Sequence, residues 1–245
     1  KLPKDRHFRK PQSELVDFVF DHKVTSVFPD MIRRSVPGYD ALISLLGLFA
    51  ETYVTDNSSI YDLGCSTGAT SLALANSTRA RGCRLIAVDN SLPMTEQCQK
   101  NLAALNEMSA NIQIDVVHAD ILDIEICDAS LVALNFTLQF ISPSERSNIL
   151  KKIHVGLRSR GALILSEKII SPRIHENEFH QELHQRFKSA NGYSDLEISQ
   201  KRTALENVLI PDSLQCHLDR LKQAGFTEVH PWFQCFNFVS IVAFK

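Results

Sequence analysis

The stretch Ser59-Ile60-Tyr61-Asp62-Leu63-Gly64-Cys65-Ser66-Thr67-Gly68, running into Ala69 to Asn76, decides how the rest of the chain is read. A short apolar strand ends on a glycine, a second glycine follows four positions later, and a helical pattern then begins. Glycine accepts the backbone conformations that a sharp turn and a close ligand approach require, and the first turn of the following helix offers N–H groups with no partner of their own. The same residues would also serve a plain strand-to-helix connection, so the weight of this turn depends on what surrounds it.

Downstream, strands and helices alternate. Arg84 to Asp89 reads as an apolar strand ending in an acid and Pro93 to Leu105 as a helix. Ile112 to Val117 and Ala129 to Asn135 read as strands, Glu145 to Leu157 as a helix and Gly161 to Ser166 as a fifth strand. Residues 171 to 212 are polar and mostly helical in pattern and have the size of a cap. The chain then ends in two aromatic, β-branched strands separated by Cys235-Phe236-Asn237, which suits an antiparallel final pair. This order predicts an α/β, doubly wound, Rossmann-like sheet of seven mostly parallel strands. Upstream, apolar residues recur at helical spacing from Phe18 to Val54 with a break at Ser35-Val36-Pro37-Gly38. Tyr39 opens the second helix of this preface, with Leu42, Leu45, Leu46 and Phe49 on its apolar face. Residues 1 to 14, polar and basic, predict a flexible arm without chemistry, and 15 to 245 a single domain carrying the cap as an insertion.

Composition narrows the ligand class. With 245 residues, 44% of them hydrophobic, the chain can bury about three quarters of its unfolded surface in one core. A formal charge of -2 supplies no field for nucleic acid, which favours small polar ligands. Cys65, Cys83, Cys98, Cys127, Cys216 and Cys235 form no CxxC pair, which argues against a zinc ribbon or redox dithiol and predicts buried, reduced thiols and no metal. No apolar run has the length of a membrane span, and the first residues lack a signal-peptide core, so the expected setting is the cytoplasm.

Asp89 stands 25 positions after Gly64, at the end of the second strand, where a carboxylate can accept both hydroxyls of a ribose. No GxGxxG phosphate pattern accompanies it, which favours S-adenosylmethionine over a dinucleotide. In His118-Ala119-Asp120-Ile121, Asp120 suits an adenine amino group and Ile121 its ring. Asn135 follows the fourth strand where amino-group methyltransferases carry Asn/Asp-Pro-Pro-Tyr/Phe, a motif absent here. The residues by themselves therefore indicate a class I S-adenosylmethionine enzyme with its acceptor chemistry open.

Further stretches narrow it. Val27-Phe28-Pro29-Asp30-Met31-Ile32-Arg33-Arg34-Ser35-Val36-Pro37-Gly38-Tyr39, Asn135-Phe136-Thr137-Leu138-Gln139-Phe140, Leu165-Ser166-Glu167-Lys168, Ala190-Asn191-Gly192-Tyr193-Ser194 through Ser199-Gln200-Lys201-Arg202, and Trp232-Phe233-Gln234-Cys235-Phe236-Asn237-Phe238 resemble the carboxy-S-adenosylmethionine synthase family. The resemblance runs from about Phe20 to the C-terminus and departs from the family at Thr67 and over 171 to 178. It implies a reaction in which prephenate supplies a carboxyl group to the methyl carbon of S-adenosylmethionine. Phenylpyruvate and water leave, and a separate enzyme uses the product on the wobble uridine of tRNA. It further implies a homodimer without direct contact to nucleic acid. By the same resemblance Tyr39, Gly64, Cys65, Ser66, Asp89, Asn90, Asp120, Ile121, Asn135 and Arg202 line the cofactor site. Arg202 holds the transferred carboxyl bidentately and Tyr39 stands near the sulfonium. The alternatives are an ordinary small-molecule methyltransferase and a catalytically silent binding scaffold. His180 and His184 lie four apart, but Gln181 stands where a zinc-protease motif needs Glu, so a solvated helix face is expected there. Arg33 and Arg34 suit either an anionic substrate or surface ion pairs, and Lys168 receives no catalytic role.

Overall fold

The computed structural model describes residues 3–10, 18–108 and 111–245. Two helices, α1 (His22–Ser35) and α2 (Tyr39–Tyr53), precede the sheet. Asp21 sets the start of α1, its carboxylate accepting the Val24 N–H at 2.9 Å, as N-capping requires. The turn into α2 passes through Gly38 at φ 76°, where an added Cβ would sit 2.8 Å from the Phe233 ring. Glycine is needed there for both conformation and space.

The sheet strands are β1 (Ser59–Leu63), β2 (Cys83–Asp89), β3 (Ile112–His118), β4 (Ala129–Asn135), β5 (Leu157–Ile170), β6 (Asp212–Ser213), β7 (Glu228–Cys235) and β8 (Phe238–Phe244). Seven of them run in the order β3-β2-β1-β4-β5-β8-β7. The first five are parallel, while β8 is antiparallel to both β5 and β7. β6, two residues long, pairs parallel with Ile169 and Ile170 at the end of β5. Helices α3 (Ala69–Ser77), α4 (Leu92–Met108) and α5 (Arg146–Gly156) cross between the parallel strands, and α8 (Leu214–Ala224) leads into the final hairpin.

The central strands β1, β4 and β8 are buried on both faces, and the side chains of the sheet divide by alternation into two cores. Leu85, Ala87, Leu131 and Ala133 join the core under α2 with Leu42 and Leu46; Ile86, Val88, Val132 and Leu134 join the opposite core with Ile149, Leu150 and Leu221. Strand order reverses beside β1, and in such sheets the crevice beyond the carboxyl ends of the strands is where ligands bind. Over it lies the 171–212 segment as α6 (Ile174–Ala190), α7 (Asp195–Leu205) and β6. A capping box starts α7, the Ser194 hydroxyl and Glu197 carboxylate serving each other's backbone N–H.

Two expectations change. β5 extends beyond 161–166 because Glu167 and Lys168, polar enough to end the apolar run, continue the ladder with Val239 and Phe238 of β8. Residues 3–10, read as having nothing to anchor them, carry two buried side chains. Asp5 accepts the Tyr193 hydroxyl at 2.5 Å, and Phe8 packs with Phe18, Val24 and Met31. Residues 1–2 and 11–14 of the expected arm lie outside the described residues.

Candidate active site

A cavity of about 500 Å³ opens at the carboxyl ends of the parallel strands. Tyr39, Gly64, Cys65, Ser66, Asp89, Asn90, Asp120, Ile121, Asn135 and Arg202 all line it. Six segments far apart in sequence bring them together: α2, the turn after β1, the end of β2, the turn after β3, the end of β4, and α7.

The turn after β1 is a backbone cradle. Gly64 and Cys65 both donate their N–H to Val88 O, at 2.8 and 2.9 Å, which locks the turn against β2. Gly64 has φ 83°, and a Cβ on it would come within 2.2 Å of Thr137 Oγ1. Ser66 also takes a left-handed conformation, φ 49°, and donates its N–H to Asp89 Oδ2 at 2.8 Å. Asp89 Oδ1 accepts the Ser91 N–H at 2.9 Å, so the acid that closes β2 is held from both sides. Burial pushes its carboxyl above the ordinary value, against the two N–H donors and His118, which oppose the shift. Asp120 is fixed by the Leu122 N–H at 2.9 Å, and Ile121 beside it is buried.

Asn135 donates to Thr70 Oγ1 at 3.0 Å, while its Oδ1 has no partner among the described residues. An acceptor left over beside a glycine cradle fits an ammonium-bearing ligand such as the methionine end of S-adenosylmethionine. Phe136, next in the chain, has φ 59°, a conformation that costs a bulky residue about 1–3 kcal/mol and gathers at functional sites. Its ring lies between those of Tyr39 and Phe238, with centroids 6.5 and 6.0 Å away. Burial, followed by the charge of Asp62, raises the Tyr39 phenol far above its ordinary range, so it keeps its proton and remains a donor.

The opposite end of the cavity is cationic. Lys168, Lys188, Lys201 and Arg202 all line it. Lys201 Nζ donates to Ser35 Oγ at 2.9 Å and lies 3.8 Å from the Asp5 carboxylate. The side chains of Lys168, half-buried Lys188 and exposed Arg202 make no hydrogen bond or ion pair among the described residues. Burial, with Lys168 and Lys201 as neighbouring charges, lowers Lys188 to about 7; burial lowers Lys201 to about 8 and, with Arg202 nearby, lowers Lys168. His184 is buried rather than solvated as its spacing suggested. Its Nε2 lies 2.7 Å from Ser35 O, its ring meets Phe238 edge-on, and burial drops it to about 3, leaving it neutral. Among the described residues no group of side chains could hold a metal ion.

Sequence reading gave no role to Lys188 or to the aromatic wall of Phe18, Phe20, Phe28 and Phe140, and it placed His184 on a solvated face. Lys188 is one of many polar residues in α6, off the spacing of its apolar Phe179, Leu183 and Phe187, so only tertiary placement marks it. Lys168, given no role, faces the cavity, while Glu167 beside it points away and accepts the Leu138 and Gln139 N–H at 2.9 and 2.8 Å. Arg33 and Arg34 are occupied elsewhere: Arg33 pairs with Asp40, and Arg34 bonds Asp30 and lies 3.8 Å over the Tyr193 ring. All six cysteines are free; Cys65, Cys83 and Cys98 are buried as expected, whereas Cys127 is exposed.

Residues 60–161 match the model of a methyltransferase domain. The carboxy-S-adenosyl-L-methionine synthases of Yersinia pestis and Yersinia pseudotuberculosis are each 51% identical to this chain over 242 residues, 99% of it and 90% of them. The chain belongs to the carboxy-S-adenosyl-L-methionine synthase family. It is accordingly an enzyme, a transferase built on the S-adenosylmethionine-dependent methyltransferase fold. Solved structures agree on that fold. Human N-acetylserotonin methyltransferase, in complex with S-adenosylmethionine, superposes with a TM-score of 0.58 at 15% identity over 91% of this chain and 55% of that one. The cyclopropane synthase MmaA2 from Mycobacterium tuberculosis does so at 0.56 and 14% identity over 78% of this chain and 62% of its own. No helix among the described residues is long and apolar enough to cross a membrane.

Proposed function

We propose that the enzyme converts S-adenosyl-L-methionine and prephenate to carboxy-S-adenosyl-L-methionine and phenylpyruvate, with release of water. The observation that carries this reading is the division of charge within one cavity. Asp89 and Asp120 stand at the ends of β2 and β3; Lys168 and Arg202 belong to β5 and the cap. Three strand steps separate β2 from β5, about 14 Å at the usual spacing, which leaves room for a nucleoside at one end and an anion at the other. An ordinary methyl transfer has little use for unpaired cations beside the methyl group, whereas a carboxyl donor requires them.

In this reading Asp89, flanked by Asn90, accepts the ribose hydroxyls, and Asp120 and Ile121 receive adenine. The backbone of Gly64, Cys65 and Ser66 holds the methionine tail with Asn135. Arg202 grips the carboxyl group to be transferred, and the protonated Tyr39 hydroxyl donates to it near the sulfonium. The bond from that carboxyl to the prephenate ring breaks, and its electron pair aromatises the ring and expels hydroxide. Hydroxide takes a proton from the acidic sulfonium methyl and leaves as water; the resulting carbanion adds to the carbon dioxide just released. The buried carboxyls Asp62 and Glu167, raised chiefly by burial to about 7 and 8, are bonded to Ser71 and to backbone N–H groups and do not line the cavity. The protein therefore acts by positioning and by excluding water, with the departing hydroxide as base. The same reading places the enzyme in the cytoplasm as a homodimer. Its product passes to a separate enzyme that builds the oxyacetyl group of wobble uridine in tRNA.

Mass spectrometry of the purified protein with S-adenosylmethionine, with and without prephenate, tests this. A carboxylated S-adenosylmethionine ion that appears with prephenate alone, together with phenylpyruvate, is expected. Bound cofactor with no such ion would point instead to an ordinary methyltransferase.

A further inference from the structure

Arg202 accounts for one carboxylate, and prephenate carries two: the ring carboxylate that is transferred and the pyruvyl carboxylate that stays on phenylpyruvate. We propose that Lys188 and Lys168 form a separate subsite that holds the retained pyruvyl carboxylate, and so select a dicarboxylate over a monocarboxylate donor. This rests on the carboxyl-donor reading above.

Three observations carry it. Lys168 leaves β5 and Lys188 leaves α6, so two elements unrelated in sequence direct ammonium groups into one cavity. Neither side chain has a hydrogen bond or ion pair among the described residues, although both are removed from bulk water enough for burial to disfavour their charge. Bringing two like charges together at a partly dry site is costly unless an anion compensates them. The cations around them belong to the same wall: Lys201, already bonded to Ser35 and near Asp5, and Arg202. The lining carboxylates do not provide the compensation, since Asp89 and Asp120 lie at strand ends across β1 and β4, and Glu206 at the end of α7 is exposed. His184, neutral and tied to Ser35 O, walls this end without adding charge.

The test separates the two carboxylates by using phenylpyruvate, which keeps only the pyruvyl one. Lys188→Met should raise both the KM for prephenate and the inhibition constant of phenylpyruvate by about tenfold or more, the effect of losing a charge-assisted hydrogen bond. Turnover number and S-adenosylmethionine affinity should stay within about threefold, since Met keeps the length and the cofactor cradle is untouched. Lys168→Met should behave alike, and Lys188→Arg should restore most of the loss. Arg202→Ala should leave the phenylpyruvate constant unchanged. A phenylpyruvate constant unmoved in both Lys→Met proteins, with S-adenosylmethionine still bound, would overturn the subsite. If the wild-type enzyme made no carboxylated product, the donor reading would fail instead. Calorimetric titration of phenylpyruvate into S-adenosylmethionine-loaded wild-type and Lys188→Met protein would still judge the subsite, equal affinities counting against it.

Discussion

The two ends of the cavity are built by different means. At the cradle end, backbone geometry does most of the work: two glycines at positive φ, a serine in the left-handed region, and a carboxylate pinned by two backbone N–H groups, one from Ser91 two residues on and one from Ser66 in the turn after β1. At the cap end, long side chains from β5, α6 and α7 meet without local order among themselves, and their shared property is uncompensated charge. A backbone cradle tolerates little substitution and leaves a signature in spacing. A charge cluster asks only that cations arrive from somewhere, so its members can be scattered.

That contrast can be broken most forcefully at Arg202. Replacing it with alanine should lower kcat/KM for prephenate by at least about 100-fold through loss of a bidentate charged contact, while S-adenosylmethionine affinity changes by less than about threefold. Equal loss of both in parallel kinetics and calorimetry would mean that the two ends do not act separately. Asp89→Ala is the mirror experiment. It should weaken S-adenosylmethionine binding by about 10–100-fold, since two ribose acceptors vanish, yet leave the prephenate KM nearly unchanged at saturating cofactor. Wild-type affinity in that variant would remove the ribose assignment.

The smallest effect sharpens the contrast by pH. Lys188, lowered to about 7 by burial and by Lys168, Lys201 and Arg202 around it, is mostly neutral in the free protein at pH 8. A bound carboxylate favours the ammonium form, so its pKa rises on binding and a proton is taken up. Prephenate binding at pH 8 should therefore consume a fraction of a proton, read from the buffer dependence of its calorimetric heat. Uptake should shrink toward pH 6, where the lysine is charged already, and the cofactor end should show no matching signal.

The same division explains what the sequence revealed. The alternation of strands and helices, the Gly64 turn, Asp89 and Asp120 were legible because each is tied to a local rule: period-two burial, a turn that only glycine fits, an acid at a strand end. Arg202 and Tyr39 came from resemblance, since nothing local distinguishes them from a surface arginine and a core tyrosine. Lys188 went unread and His184 was expected on a solvated face because α6 is mostly polar, and which of its polar residues face inward is decided by Ser35, Phe238 and the α1 wall rather than by spacing. Asp5 escaped for a related reason. Its partners Tyr193, Asp30 and Lys201 lie 25 or more positions away, so a basic, proline-punctuated segment gives no sign that Asp5 will be buried.

The chain leaves the sheet for the cap and rejoins it at one place. It departs after Ile170 and returns at Asp212, and those two points are neighbours because β6 pairs with the end of β5. Fully buried Arg146 clamps the return, binding Asp212 at 2.7 Å and Ile210 O at 2.8 Å while also reaching Gln139 O. A segment whose ends already touch can be lengthened, shortened or exchanged at small cost in chain entropy, without shifting any strand. The cradle and the cap are thus free to evolve at different rates: a lineage can keep one way of holding a nucleoside and try many partners for it by rewriting a single handle.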